Sequence, residues 1–146
     1  MARPPGKFPI KERTLMTDID SQYDLATNPM TIFWLIKTTP EWLVLPPRGD
    51  NGRFAFGKNV LDPLLARYPG AAMTFYDSEA FTADCTDVMV WTVTSLKDYN
   101  GVVNDLRETK FWSHYFTIEK IIPAIENEYA KHYDTAILGR STLSAT

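Results

Sequence analysis

The rhythm of hydrophobic and polar positions changes along the chain, and each change marks an element. "TIFWLIK", Thr31 to Lys37, is a continuous run of aromatic and β-branched residues. It is too short for a helix and fits a central strand buried on both faces. In "RFAFGKNVLDPLLARYPG", Leu61, Leu64, Leu65 and Tyr68 recur at helical spacing. Asp50 or Asn51 would cap that helix, Pro63 would kink it, and Pro69-Gly70 would end it. "AAMTFYDSEAF" has period two, with Met73 and Phe75 facing one way and Thr74 and Tyr76 the other. After "TADCT", "DVMVWTVTS" gives a second period-two strand with Met89, Trp91 and Val93 on one face, so the two strands form a hairpin.

The pattern then returns to helix. In "SLKDYNGVVNDLRET", Ser95 and Asp98 form a capping box, and Leu96, Tyr99, Val103 and Leu106 mark one face. Asn100-Gly101 is a hairpin signal elsewhere, but its flanks repeat near 3.6, so helix is predicted at a cost of about 1 kcal/mol for the glycine. "YFTIEKIIP", Tyr115 to Pro123, alternates as a last strand, and Pro123 opens a terminal helix over "AIENEYAKHY". The order β-α-β-β-α-β plus a helix is α+β and ferredoxin-like: a four-stranded antiparallel sheet with both helices on one face. The other face would be left wet, with rings such as Trp34, Trp91 and Tyr76 able to point there, so a homodimer of the α/β-barrel kind is expected. Three regions follow: an extended arm over residues 1–29, broken by Pro4, Pro5, Pro9 and Pro29, a domain over 30–136, and a flexible tail over 137–146.

Composition narrows function. The 146 residues suit one domain with a real core, and 13% aromatics suit a large core, an interface or a ring-lined pocket. A net charge of −3 without a Lys/Arg stripe argues against nucleic acid. The longest apolar runs fall short of a membrane span. One cysteine, Cys85, permits no intrachain disulfide, and the N-terminus lacks a signal-peptide core, which together fit a cytoplasmic protein. Phosphate-loop, dinucleotide and nucleophile-elbow spacings are missing, so no cofactor is expected.

"TIFWLIKTTPEWLVL", "FYDSEAFTADCTDVMVWTV", "LRETKFWSHYF" and "IIPAIENEYAKHYD" together resemble the darcynin family over about residues 30–134. "PPRGDNGRFAFGKN" departs from it, since the family has a more compact acidic link there. The resemblance implies a ferredoxin-like fold and carries no established catalytic residues.

Candidate chemistry rests on few residues. His114, in "TKFWSHYFT", could act as a general base near neutral pH, its plainer role being a surface histidine at the turn into the last strand. Asp77, Glu79, Asp84 and Asp87 flank the hairpin turn, where acids are commonly just solvated. Asp87 heads into an apolar strand and needs a partner, for which Lys37 or Arg107 is available. Trp34, Trp91 and Tyr115 would wall a pocket, with the Tyr76 hydroxyl orienting a ligand, or would instead be buried at a dimer face. His132 with Glu128 lacks a third metal ligand, so no metal is expected, and Cys85 lacks a base. Two readings remain. One is a small-molecule-binding protein, a cofactor-independent enzyme of cyclase, isomerase or monooxygenase type acting on a small aromatic or polyketide-like ligand through His114, Tyr76 and Asp87. The other is a non-catalytic homodimeric carrier or interaction module.

Overall fold

The computed structural model describes residues 24–140. The expected arm up to residue 23 and the end of the expected tail lie outside the described residues.

Four strands form one antiparallel sheet in the order β2-β3-β1-β4. They are β1 (Met30–Thr38), β2 (Ala71–Asp77), β3 (Asp87–Val93) and β4 (Phe116–Ile125). The run Thr31 to Lys37 is thus central, as its unbroken apolarity predicts. Register fixes the two faces, because residues opposite one another share a side. Ile32 faces Trp91, Trp34 faces Met89, and Ile36 faces Asp87. This side is covered by helices and holds the core, where Trp34, Trp91 and Phe111 are wholly buried. The other side carries Thr31, Phe33, Leu35, Val88, Val90 and Tyr76.

The first helical stretch is built in pieces: α1 (Pro40–Leu43), α2 (Arg53–Phe56), a π turn (Gly57–Leu61) and α3 (Asp62–Ala66). Gly52, rather than Asp50 or Asn51, stands at the N-cap of α2. A Cβ there would lie 2.5 Å from the Arg48 carbonyl oxygen, so only glycine lets the loop fold back on itself. The expected kink at Pro63 is absorbed by the π turn. The Asp62 N–H reaches back five residues to the Gly57 carbonyl, which widens the helix just before a residue that cannot donate.

The second helix, α4 (Leu96–Arg107), has the predicted cap, with Ser95 Oγ accepting from the Asp98 N–H at 3.2 Å. Val102 and Leu106 are its buried positions, while Leu96 is exposed. Gly101 has a packing reason: a Cβ would fall 2.4 Å from Tyr68 Cε1. A second π turn (Phe111–Tyr115) joins α4 to β4.

The terminal helix is shorter than predicted. β4 runs through Pro123 to Ile125, and α5 covers only Glu128–His132. Pro123 is tolerated because β4 is an edge strand, where alternate backbone N–H positions face away from the ladder. Asn28 ties the entry of β1 to α5, donating to Glu128 and accepting from Lys131.

Candidate functional site

The residues singled out in the sequence do not converge on one pocket. Trp34 and Trp91 lie at the helix-covered face with zero exposure, their rings 5.2 Å apart. Trp34 Nε1 donates to the Tyr99 hydroxyl at 3.0 Å, and burial raises the pKa of that phenol. These two tryptophans are core. Tyr76 is on the opposite face, 54% exposed, beside an open groove of ≈ 680 Å³ with Phe33, Val88 and Val90. Strand alternation therefore separates Tyr76 from the tryptophans by the thickness of the sheet.

The stretch Thr109 to Thr117 is divided by the second π turn. Phe111 and Phe116 stack at 4.6 Å and are buried, and Trp112 packs edge-on against Trp34. These rings close the helix layer onto the sheet. His114 points outward, touching Ser113 Oγ through Nδ1, beside a shallow recess of ≈ 330 Å³. Tyr115 turns the other way, against Trp42 and Phe56 at 5.2 and 5.0 Å. Neighbours in sequence, His114 and Tyr115 thus border different cavities.

Asp87 is different. Among the described residues it is the buried charged one, 6% exposed, at the start of β3 on the helix-covered face. Neither expected cation reaches it. Lys37 lies one residue past Ile36, on the opposite face of β1, and Arg107 sits over the Trp112 ring at 5.7 Å. Instead the Thr86 hydroxyl donates to Asp87 Oδ2 at 2.7 Å, and Asp77 stands directly across the hairpin. Burial pushes the Asp87 carboxyl from 3.8 up to about 6. Thr86 opposes that rise by bonding the ionised form, while Asp77 adds to it by hydrogen bonding and charge.

Around this pair opens a cleft of ≈ 480 Å³ between the sheet and α1–α2. Trp42, Phe54, Phe75 and Phe116 supply its walls, and Arg53 and Glu79 its polar groups. Two carboxyls in register, one desolvated and one exposed, form an unequal pair. Such a pair can hold a proton near neutral pH and pass it to a group lodged against the rings. Trp42, Arg53, Phe54 and Phe75 were not singled out as site residues in the sequence. The legible signal was the hairpin itself, since closing "AAMTFYD" onto "DVMVWTV" places Asp77 opposite Asp87. Among the described residues, no three His, Cys, Asp or Glu side chains gather so as to hold a metal ion.

The comparisons with known proteins accord with this fold. The family model for darcynin, a domain of unknown function, matches residues 16–142. The chain belongs to the darcynin family. The match is wider than the 30–134 stretch that carried the resemblance. A darcynin homolog from Granulibacter bethesdensis is 37% identical over 117 residues, covering 80% of this chain and 88% of that one. A darcynin homolog from Streptomyces avermitilis is 42% identical over 105 residues, covering 72% and 85%. Among solved structures, a mutant (R173E) chlorite dismutase from Candidatus Nitrospira defluvii superposes with a TM-score of 0.53 at 12% identity. That match covers 67% of this chain but only 40% of the dismutase chain, so it shows shared ferredoxin-like architecture and nothing of chemistry. No helix among the described residues is long and apolar enough to cross a membrane.

Proposed function

We propose that this darcynin protein binds a small aromatic or polyketide-like molecule in the cleft above Asp87 and exchanges a proton with it. The observation that carries this reading is a carboxyl only 6% exposed, with no cation among the described residues within 4 Å, lining a ring-walled cleft that also holds Arg53. Its pKa of about 6 leaves it an acid at mildly acidic pH and a base at neutral pH. Asp77 is the second carboxyl of the pair, and the flat faces of Trp42 and Phe75 suit a planar ligand. Cyclisation or isomerisation needs only such a transfer, which two carboxyls can supply without a cofactor. His114 and Tyr76 have no part in this reading, because they border other surfaces.

The test is a crystal soaked with an aromatic fragment mixture, followed by binding measurements on Asp87→Asn. A fragment stacked on Trp42 or Phe75, with affinity that changes through pH 6 in the native protein but not in the variant, is the expected result. Fragments that avoid the cleft would overturn the reading. Binding in the cleft with the same pH profile in both proteins would favour the carrier reading instead.

The assembly proposed with this function is a homodimer through the open sheet face. That face is apolar across its centre at Phe33, Leu35, Val88 and Val90, and Phe33 pairs with Ile122 at the edge. Four strands of about seven residues span roughly 400 Å² before side-chain relief is counted, a size at which an apolar patch often serves a contact. Light scattering should give twice the chain mass at micromolar concentration, and Val90→Lys should halve it. A native protein that runs as a monomer would remove the dimer and leave the cleft reading untouched.

A further inference from the structure

A second cavity, of ≈ 590 Å³, is lined by different residues of the first helical stretch from those at the Asp87 cleft. Its apolar wall is Leu45, Phe56, Val60 and Tyr115. Its rim carries Asp50 and Lys110, opposite charges that face one opening without coming within 4 Å of each other, together with the amides of Asn51 and Asn59. No hydrogen bond within the described residues engages the Tyr115 hydroxyl or those two side-chain amides.

Two features indicate a built cavity rather than a surface dent. The loop behind Asp50 is fixed by its own backbone. The Arg53 N–H donates to the Pro46 carbonyl at 2.8 Å, the Phe54 N–H to Pro47 at 3.2 Å, and the Gly52 N–H to Gly49 at 3.1 Å. Gly52 allows that fold, since a Cβ would strike the Arg48 and Pro46 carbonyls. The rim is therefore ordered before any ligand arrives, which lowers the cost of binding. The second feature is the pair of π turns that border the cavity, one through Asn59 and Val60 and the other through Tyr115. Pro63 accounts for the first. No proline accounts for the second, where the Phe116 N–H reaches back to Phe111. The extra residue in that turn lets Phe111 and Phe116 stay in the core while Tyr115 swings to the cavity wall. Turns of this kind are rare and recur at functional sites.

We infer that this cavity is a binding site for a zwitterionic small molecule with an aromatic body, of the α-amino-acid type. The carboxylate goes to Lys110, the ammonium to Asp50, and the ring to the wall of Phe56 and Tyr115, which meet edge to face at 5.0 Å. A ligand with one charge leaves half the rim unanswered. This inference does not rest on the Asp87 reading, because the two cavities share no lining residue.

The test is a ¹⁵N–¹H NMR titration of the full chain with L-phenylalanine. Saturable shifts are expected at the amides of Gly52, Asn59, Lys110 and Tyr115, with a Kd of about 1 mM or tighter. Asp50→Asn and Lys110→Ala should each weaken binding about two- to fivefold, the range for solvent-facing ion pairs. Phenylacetate and phenethylamine should each bind more weakly than the amino acid. No saturable shift, shifts confined to the Asp87 cleft, or equal binding of a neutral analogue such as N-acetylphenylalanine amide would each overturn the assignment.

Discussion

Asp87 and Asp105 are the same residue in opposite circumstances. Asp105 lies on α4 within reach of two donors. The Tyr68 hydroxyl donates to it at 2.6 Å, and Arg67 pairs with it at 3.1 Å. Both of its partners come from the chain just after α3, so the carboxylate joins the two helices that cover the sheet. Its hydrogen bond raises the Tyr68 pKa and keeps that phenol protonated. Asp87 has a hydroxyl on one side and a second carboxylate on the other, with far less water. A carboxylate with a cation and a phenol is a strut. One that is buried opposite another acid has its charged form disfavoured. Partners, rather than residue type, separate structure from chemistry.

The largest effect should come from breaking the strut sterically. Gly101→Ala would be stabilising by about 1 kcal/mol on helix propensity alone. The new Cβ meets the Tyr68 ring at 2.4 Å, so Tyr68 must leave and Asp105 loses its phenol. The expected outcome is a net loss of about 2 kcal/mol in urea unfolding. A gain in stability would show that the Tyr68–Asp105 contact does not hold the helix pair.

Asp87→Asn tests the other member of the comparison, and its sign depends on pH. The folded pKa of about 6 lies above the usual 3.8, so between those values the native state binds a proton that the unfolded chain has released. Native stability therefore falls as pH rises through that window and levels off above it. Asparagine does not titrate. The variant should match the native protein near pH 4 and exceed it by about 1 to 2 kcal/mol at pH 7, less than the full rise implies because water enters the cleft mouth. A gap that stays constant from pH 4 to 7 would mean that Asp87 ionises normally.

The two carboxylates also show how far the sequence could be read. The sheet, its central strand and the ferredoxin-like order were legible because period-two and period-3.6 patterns are local. Asp87 was legible as a polar residue entering an apolar run. Its partner was not, because Lys37 follows Ile36, which stands opposite Asp87, yet strand alternation sends Lys37 to the other face. Trp34 and Trp91 could be pocket walls or rings buried at a dimer face on the sequence alone, because aromatic content reveals burial but not which face is covered; the structure buries both under the helices. Trp42 and Arg53 escaped because a loop punctuated by Pro40, Pro46 and Pro47 has no periodicity from which to place them. Pro123 misled directly, since a proline can open a helix or sit within an edge strand, as here.

Asp77→Asn would sharpen the Asp87 side further. Burial is the leading cause of the Asp87 shift and Asp77 is secondary, so losing the second carboxylate should move the midpoint only part of the way down from about 6. NMR titration of the Asp87 side-chain carbon reads this directly, and a return to the ordinary carboxylate range would show that charge, not burial, sets the value.

The smallest effect should come from Arg67→Ala. The Arg67 side chain is 61% exposed and that of Asp105 34%, so water screens the pair and the long arginine must be ordered to make it. The expected loss is at most about 0.5 kcal/mol, shrinking further in 1 M salt, because Asp105 keeps its bond from Tyr68. The contrast with Gly101→Ala then apportions the strut. If Arg67→Ala costs as much as displacing Tyr68, the ion pair carries the junction, and Asp105 is held by charge rather than by the phenol beneath it.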